Sequence, residues 1–177
     1  MSPESPLPVL NTQKEFARVL LKSFTISPSA THVGFLTYGR DAKIAFKLGS
    51  LLTYANADKA INDVTLGNPG YNLIALLKKS RNQFFTQNFG GRPGIAKSLF
   101  IFNNGKSGIL SNDLQYEADK LREMGVKIVV LGVSSNIDAN ELRLISTNRD
   151  SYFFAKDLPN IDQHLNQIVY QLQPGRN

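Results

Sequence analysis

The order of apolar and polar positions along the 177 residues changes period several times, and each change predicts an element. Phe16, Val19, Leu20 and Phe24 recur at the spacing of one helix face, with Asn11 and Thr12 as N-cap candidates. Ahead of them, Pro3, Pro6 and Pro8 predict an arm without regular helix over residues 1–10. Residues 32–38 are strand-like. A Gly39-Arg40-Asp41 turn then leads into residues 42–48, where Ile44, Phe46 and Leu48 share one side, so the pair predicts a hairpin with an edge strand. A short helix is expected over 55–64. After the Gly67-Asn68-Pro69-Gly70 turn, Leu73, Leu76, Leu77 and Phe84 predict a longer helix to about Thr86.

The second half repeats one alternation. Residues 98–102 and 126–133 are continuous apolar runs of strand length, the pattern of parallel strands buried on both faces. Between them, Leu114, Ala118 and Leu121 mark a helix over 111–123, with Gly125 as its C-terminal stop. A helix over 138–146 capped by Asp138, a short strand over 151–155 and a last helix over 158–172 carrying Ile161, Leu165, Ile168, Val169 and Leu172 complete the chain. Strands alternating with amphipathic helices predict an α/β fold with a doubly wound, mostly parallel sheet. The expected organisation is an arm over 1–10, one domain over 11–173 and a tail over 174–177, and a chain of this length can bury a full core.

Composition narrows the chemistry. With no cysteine, disulfides, thiolate metal sites and cysteine nucleophiles are excluded, and His32 and His164 alone do not make a histidine zinc site. No apolar run approaches the ~18 residues of a membrane span, so no membrane insertion is expected. The first residues show no signal peptide. The net charge of +6 (20 basic, 14 acidic) is unevenly spread: residues 64–112 contain no Asp or Glu and hold Lys78, Lys79, Arg81, Arg92, Lys97 and Lys106. A patch of one sign would attract an acidic or sulfated polymer.

The glycine clusters do not read as phosphate loops. Neither Gly67-Asn68-Pro69-Gly70 nor Gly90-Gly91-Arg92-Pro93-Gly94 has the Gly-x-Gly-x-x-Gly spacing. Gly105-Lys106-Ser107 echoes the end of a P-loop, but Phe100 stands where its first glycine belongs. A nucleotide-binding α/β enzyme is therefore disfavoured, and no catalytic residue and no cofactor is expected. Asp113 and Glu117 share a helix face and are expected to be solvated, while Tyr38 and Tyr54 are expected as core or rim aromatics.

Several phrases coincide, in order and spacing, with one family. They are Val33-Gly34-Phe35-Leu36-Thr37-Tyr38, Phe46-Lys47-Leu48, Ser98-Leu99-Phe100-Ile101-Phe102-Asn103-Asn104-Gly105-Lys106-Ser107, and Ala118-Asp119-Lys120-Leu121-Arg122-Glu123-Met124-Gly125-Val126 followed by Leu131-Gly132-Val133. Asn140-Glu141-Leu142-Arg143-Leu144-Ile145-Ser146 continues the register. Over about residues 12–172 the chain resembles the von Willebrand factor type A domains of matrix collagens and matrilins. The resemblance implies a Rossmann-like parallel sheet with one antiparallel edge strand, no enzymatic activity, a protein ligand in the matrix or at the cell surface, an extracellular location and no nucleic-acid partner. It also implies a ligand-binding face at the C-terminal ends of the strands, here Gly70, Tyr71, Asn72, Asn104, Gly105 and Ser107.

In the family that face often holds a divalent metal in a metal-ion-dependent adhesion site, from which this sequence departs at every contribution. The Asp-x-Ser-x-Ser loop has no counterpart in Ser5-Pro6-Leu7-Pro8-Val9-Leu10; Tyr71 stands in the threonine position; Asn104 stands in the aspartate position. Mg²⁺ requires hard oxygen ligands, usually with a carboxylate among them, so metal binding is not expected. The family's first strand, which lies mid-sheet, is also missing from these residues. The expected readings are a chain whose start lies upstream of Met1, or a truncation in which Leu7 to Leu10 intrude into the gap or the flanking strands close on each other.

Overall fold

The computed structural model describes residues 6–65, 69–106, 108, 111–133, 137–155 and 162–174. Helix α1 (Pro6–Leu21) is followed by the antiparallel hairpin β1 (Phe35–Tyr38) and β2 (Ala42–Phe46) and by α2 (Tyr54–Asn62), capped by the Thr53 side chain. Helix α3 (Leu73–Lys79) runs into a wider π turn (Ser80–Phe84). Then β3 (Lys97–Asn103), α4 (Ser111–Glu123), β4 (Val126–Val133), α5 (Ala139–Ile145), β5 (Tyr152–Ala155) and α6 (Leu165–Leu172) alternate. Strands β3, β4 and β5 pair in parallel in that order, with Lys97 opposite Val126 and Val130 opposite Tyr152.

Two apolar layers enclose this three-stranded sheet. Leu99, Ile101, Ile128 and Val130 point to α3, α4 and α5, where Leu73, Leu77, Leu114, Leu121, Leu142 and Ile145 are buried. Phe100, Phe102, Val129, Leu131 and Val133 point to α1 and α6, against Phe16, Leu20 and Ile168. The alternation along β4 thus feeds both layers, which is why it reads as an unbroken apolar run. Arg122 ties the layers' periphery: its guanidinium donates to the carbonyls of Leu144, Ile145 and Ser146 at 3.1–3.3 Å, satisfying the C-terminal end of α5.

Several expectations need correction. Residues 6–10 are the first turns of α1, not part of an arm. Pro6 and Pro8 fall where a helix has no internal acceptor for backbone N–H groups, so their missing donors cost nothing there. Asn11 and Thr12 lie inside this helix rather than capping it, and Leu7 to Leu10, being helical, do not intrude into the sheet. The helix expected to run regularly to Thr86 widens at Ser80, whose buried hydroxyl donates back to the Leu76 carbonyl at 2.9 Å. Of the last predicted helix, residues 158–161 lie outside the described residues and the regular part starts at Leu165.

The hairpin and the parallel sheet stay separate: β1 pairs only with β2 and β3 only with β4 among the described residues. The flanking strands have therefore not closed on each other either.

The Gly90-Gly91 turn seals the hairpin side. A Cβ on Gly90, at φ +89°, would lie 1.9 Å from the Leu48 carbonyl oxygen, whereas one on Gly94, at φ +70°, would meet nothing within 4 Å. Gly94→Ala is expected to cost only the left-handed backbone penalty of about 1–2 kcal/mol. Gly90→Ala adds a backbone collision and should exceed about 3 kcal/mol in urea unfolding; equal costs at the two sites would refute the contact.

Candidate ligand-binding face

The face lies where β1 and β3 end. The turn after β1 is anchored to the start of α3: Asn72 donates its backbone N–H to Gly39 O at 2.8 Å and its side-chain amide to Arg40 O at 3.2 Å, while its Oδ1 caps the helix at Ala75 N, 2.9 Å away. Gly70 sits at φ +139° with Arg40 N at 2.9 Å from where a Cβ would be, so only glycine lets the two turns approach this closely. This fixes Tyr71 between them. Its ring packs against Gly105, where a Cβ would be 2.4 Å from the ring, and 40% of the residue remains exposed.

Beneath the ring is a buried polar pair. Tyr38, the last residue of β1, donates its hydroxyl to Asn103 Oδ1 at 2.7 Å and lies 3.2 Å from the Phe102 carbonyl. Asn103, fully buried at the end of β3, donates its amide to Gly105 O at 2.6 Å. Burial, helped by the neighbouring Tyr71 phenol, pushes the Tyr38 hydroxyl far above its ordinary value, so it remains a donor. Asn104 is half-buried beside this pair. At the rim, Lys106 lies 3.6 Å from Asp138, which caps α5 through Asn140 N and Glu141 N. Those N–H groups, Asn140's first, hold the Asp138 carboxyl below the usual carboxylate range, with Lys106 adding to the effect. Buried Glu141 accepts from Gly108 N at 3.1 Å. Ser107 lies outside the described residues.

The structure places Gly70, Tyr71, Asn72, Asn104 and Gly105 near one another at the strand ends, with Tyr38 and Asn103 beside them. Their only sequence signal was position: the last residue of an apolar strand run, at the end where open α/β sheets bind ligands. A phosphate cradle is not formed at Gly105-Lys106, since Tyr71 covers the glycine and Lys106 faces Asp138.

The six basic residues do not form one patch. Lys97 and Lys106 flank opposite ends of β3, roughly 20 Å of strand apart. Arg81 forms a two-pronged pair with Glu117 at 3.0 and 3.3 Å, and Arg92 donates to Ala30 O at 2.5 Å. Lys79 donates to Gln83 and Lys97 to Ile95 O, while Lys78 and Lys106 are the exposed members of the set. Glu117, expected to be solvated, is 5% exposed, because α4 turns it toward Arg81 on the π turn while Asp113 stays exposed.

Among the described residues, the donors at Tyr71, Asn72, Asn103 and Asn104 are amide, phenol and backbone groups, and Asn103 Oδ1 already takes the Tyr38 proton. The carboxylates at the rim, Asp138 and Glu141, already accept from Asn140 N, Glu141 N and Gly108 N, so this set is a poor fit to a hard divalent cation. Among the described residues no three of His, Asp and Glu converge.

The family model of the von Willebrand factor type A domain matches residues 6–170. The chain belongs to this family. Matrilin-1 of Mus musculus is 28% identical over 152 residues, which is 85% of the chain and 30% of matrilin-1. Cochlin of Bos taurus is 27% identical over 158 residues, 85% of the chain and 28% of cochlin. The chain therefore spans under a third of the length of these curated relatives. The solved structure of proximal thread matrix protein 1 from the mussel byssus superposes with a TM-score of 0.85 at 25% identity, covering 92% of the chain and 42% of that protein. The VWA fold, with a parallel sheet flanked by helices, is common to them. No helix among the described residues is long and apolar enough to cross a membrane.

Proposed function

We propose that this VWA domain is a non-catalytic, extracellular protein-interaction module of the matrix or adhesion kind, and that it engages its protein ligand without a metal ion. The observation that carries the reading is the Tyr71 ring seated on Gly105: an aromatic side chain occupies the face where the family's adhesion metal is held by side-chain oxygens. A half-exposed tyrosine backed by the hydrogen-bonded pair of Tyr38 and Asn103 is the type of anchor that dominates protein contacts. The likeness to matrilin-1 and cochlin supports the matrix setting.

Two measurements test this. Calorimetric titration with Mg²⁺ or Mn²⁺ is expected to show no stoichiometric site, and Asn104→Asp alone should not create one, because Tyr71 still covers the face and the serine oxygens remain missing. A dissociation constant below about 1 mM, more than about 4 kcal/mol of binding, would overturn the metal-independent reading. Binding of the wild-type domain to a decellularised matrix preparation should survive chelator, fall at least tenfold for Tyr71→Ala, and change little between low and moderate salt. A steep loss with salt and an unaffected Tyr71→Ala would instead mark an acidic polymer as the ligand.

A further inference from the structure

Asn104-Gly105 is the only Asn-Gly pair in the 177 residues, and it stands at the end of β3 on the face described above. The pair carries a specific reactivity. A backbone nitrogen can attack the side-chain carbonyl of the asparagine before it, and glycine leaves that approach unhindered because it has no Cβ. The peptide link between the two residues lies outside the sheet's ladder: β3 ends at Asn103, paired with Gly132, and no backbone acceptor holds Gly105 N among the described residues. The glycine is instead clamped from two sides. The Asn103 amide donates to Gly105 O at 2.6 Å, and the Tyr71 ring packs where a Cβ of Gly105 would be. The nucleophile is present but immobilised, and Asn103 is buried whereas Tyr71, the other half of the clamp, is exposed.

We propose that Asn104 is a site of spontaneous deamidation whose rate is set by the seating of Tyr71, so that this face carries its own slow covalent switch. The Gly105 nitrogen forms a bond to the Asn104 side-chain carbonyl carbon. The bond from that carbon to the amide nitrogen breaks, and ammonia leaves with the proton given up by Gly105. Water then opens the succinimide ring at either carbonyl, giving aspartate or the β-linked isoaspartate. Either product puts a carboxylate at a half-buried position, in a stretch (64–112) that otherwise has no acidic residue. Partial burial penalises that charge. The isoaspartate also inserts a methylene into the backbone just before Gly105, which both the Asn103 amide and the Tyr71 ring contact. Conversion therefore unseats Tyr71 and weakens ligand binding, a consequence that rests on reading this face as the ligand site.

The test incubates the folded full chain at mildly alkaline pH and follows the tryptic peptide Ser98–Lys106 by mass spectrometry, with fragment ions separating Asn104 from Asn103. Conversion is expected at Asn104 and not at Asn103. It should run about tenfold faster in Tyr71→Ala, through easier local opening, yet still slower than in the urea-unfolded chain, which separates loss of the clamp from loss of the fold. Tyr71→Phe, which keeps the ring, should convert at the wild-type rate, and Asn104→Gln, whose longer side chain disfavours ring closure, should keep its mass. The proposal fails if Asn104 stays intact in the folded wild type while the unfolded chain converts, or if Tyr71→Ala converts no faster than wild type. These readouts need no ligand. A converted domain that still binds matrix as fresh protein does would instead overturn the role given to this face.

Discussion

Leu77→Ala is expected to lower the unfolding free energy by about 2–5 kcal/mol, a substantial share of the 5–15 kcal/mol typical of a domain. Leu77 is fully buried on α3, where it meets the sheet layer that contains Leu99, Ile101, Ile128 and Val130. Truncation removes three carbons, the γ carbon and two methyls, from a close-packed core cluster shared with α4, α5, β3 and β4, so collapse around the cavity is limited. The melting temperature should drop by roughly 4–20 °C. Leu52→Ala, at a residue 38% exposed, is the control and should stay within about 0.5 kcal/mol. Because α3 begins at Asn72, which caps it and holds the Gly39–Arg40 turn, the same truncation should also loosen Tyr71 and weaken ligand binding beyond the fraction unfolded. If stability falls while binding by the folded fraction is unchanged, the helix does not position the face.

Tyr38→Phe produces the second large effect and couples the face to pH. At neutral pH the substitution leaves Asn103 Oδ1 and the Phe102 carbonyl without their donor in a buried setting, at a cost of about 1–3 kcal/mol. At alkaline pH the wild-type domain should destabilise itself. Burial raises the Tyr38 hydroxyl above its ordinary value near 10, with the Tyr71 phenol adding to the effect. Above pH ~10 the unfolded chain releases this proton and the folded chain keeps it, so the unfolded state binds fewer protons and stability falls as pH rises. The slope from one such group is about 1.4 kcal/mol per pH unit. Tyr152, also raised by burial, contributes in the same sense. Urea unfolding at intervals from pH 8 to 11.5 should therefore show a shallower alkaline decline for Tyr38→Phe than for wild type, with the two curves converging. Parallel curves would mean that Tyr38 titrates normally and is not sealed beneath Tyr71.

The amino-acid pattern alone determined the second half of this protein. The runs at 98–102 and 126–133, the Leu114-Ala118-Leu121 stripe and the Asp138 cap each became the expected element, because buried parallel strands and amphipathic helices are dictated by residues close in sequence. The loops proposed as the face came from the resemblance to the family and not from the local pattern. What the pattern missed depends on contacts distant in sequence. Pro6 and Pro8 read as helix breakers, but their effect depends on which turn of α1 they occupy. Glu117 reads as a solvated charge until the π turn brings Arg81 to it from 36 residues away. The stretch without acidic residues reads as one positive patch, yet β3 carries Lys97 and Lys106 to opposite ends of the sheet. Tyr38 and Asn103, 65 residues apart, acquire meaning only where the ends of β1 and β3 come together. That pairing, and the seat of Tyr71 on Gly105, were decided by tertiary structure, since a hydroxyl's partner and a ring's resting place depend on backbone brought together by packing rather than on neighbours along the chain.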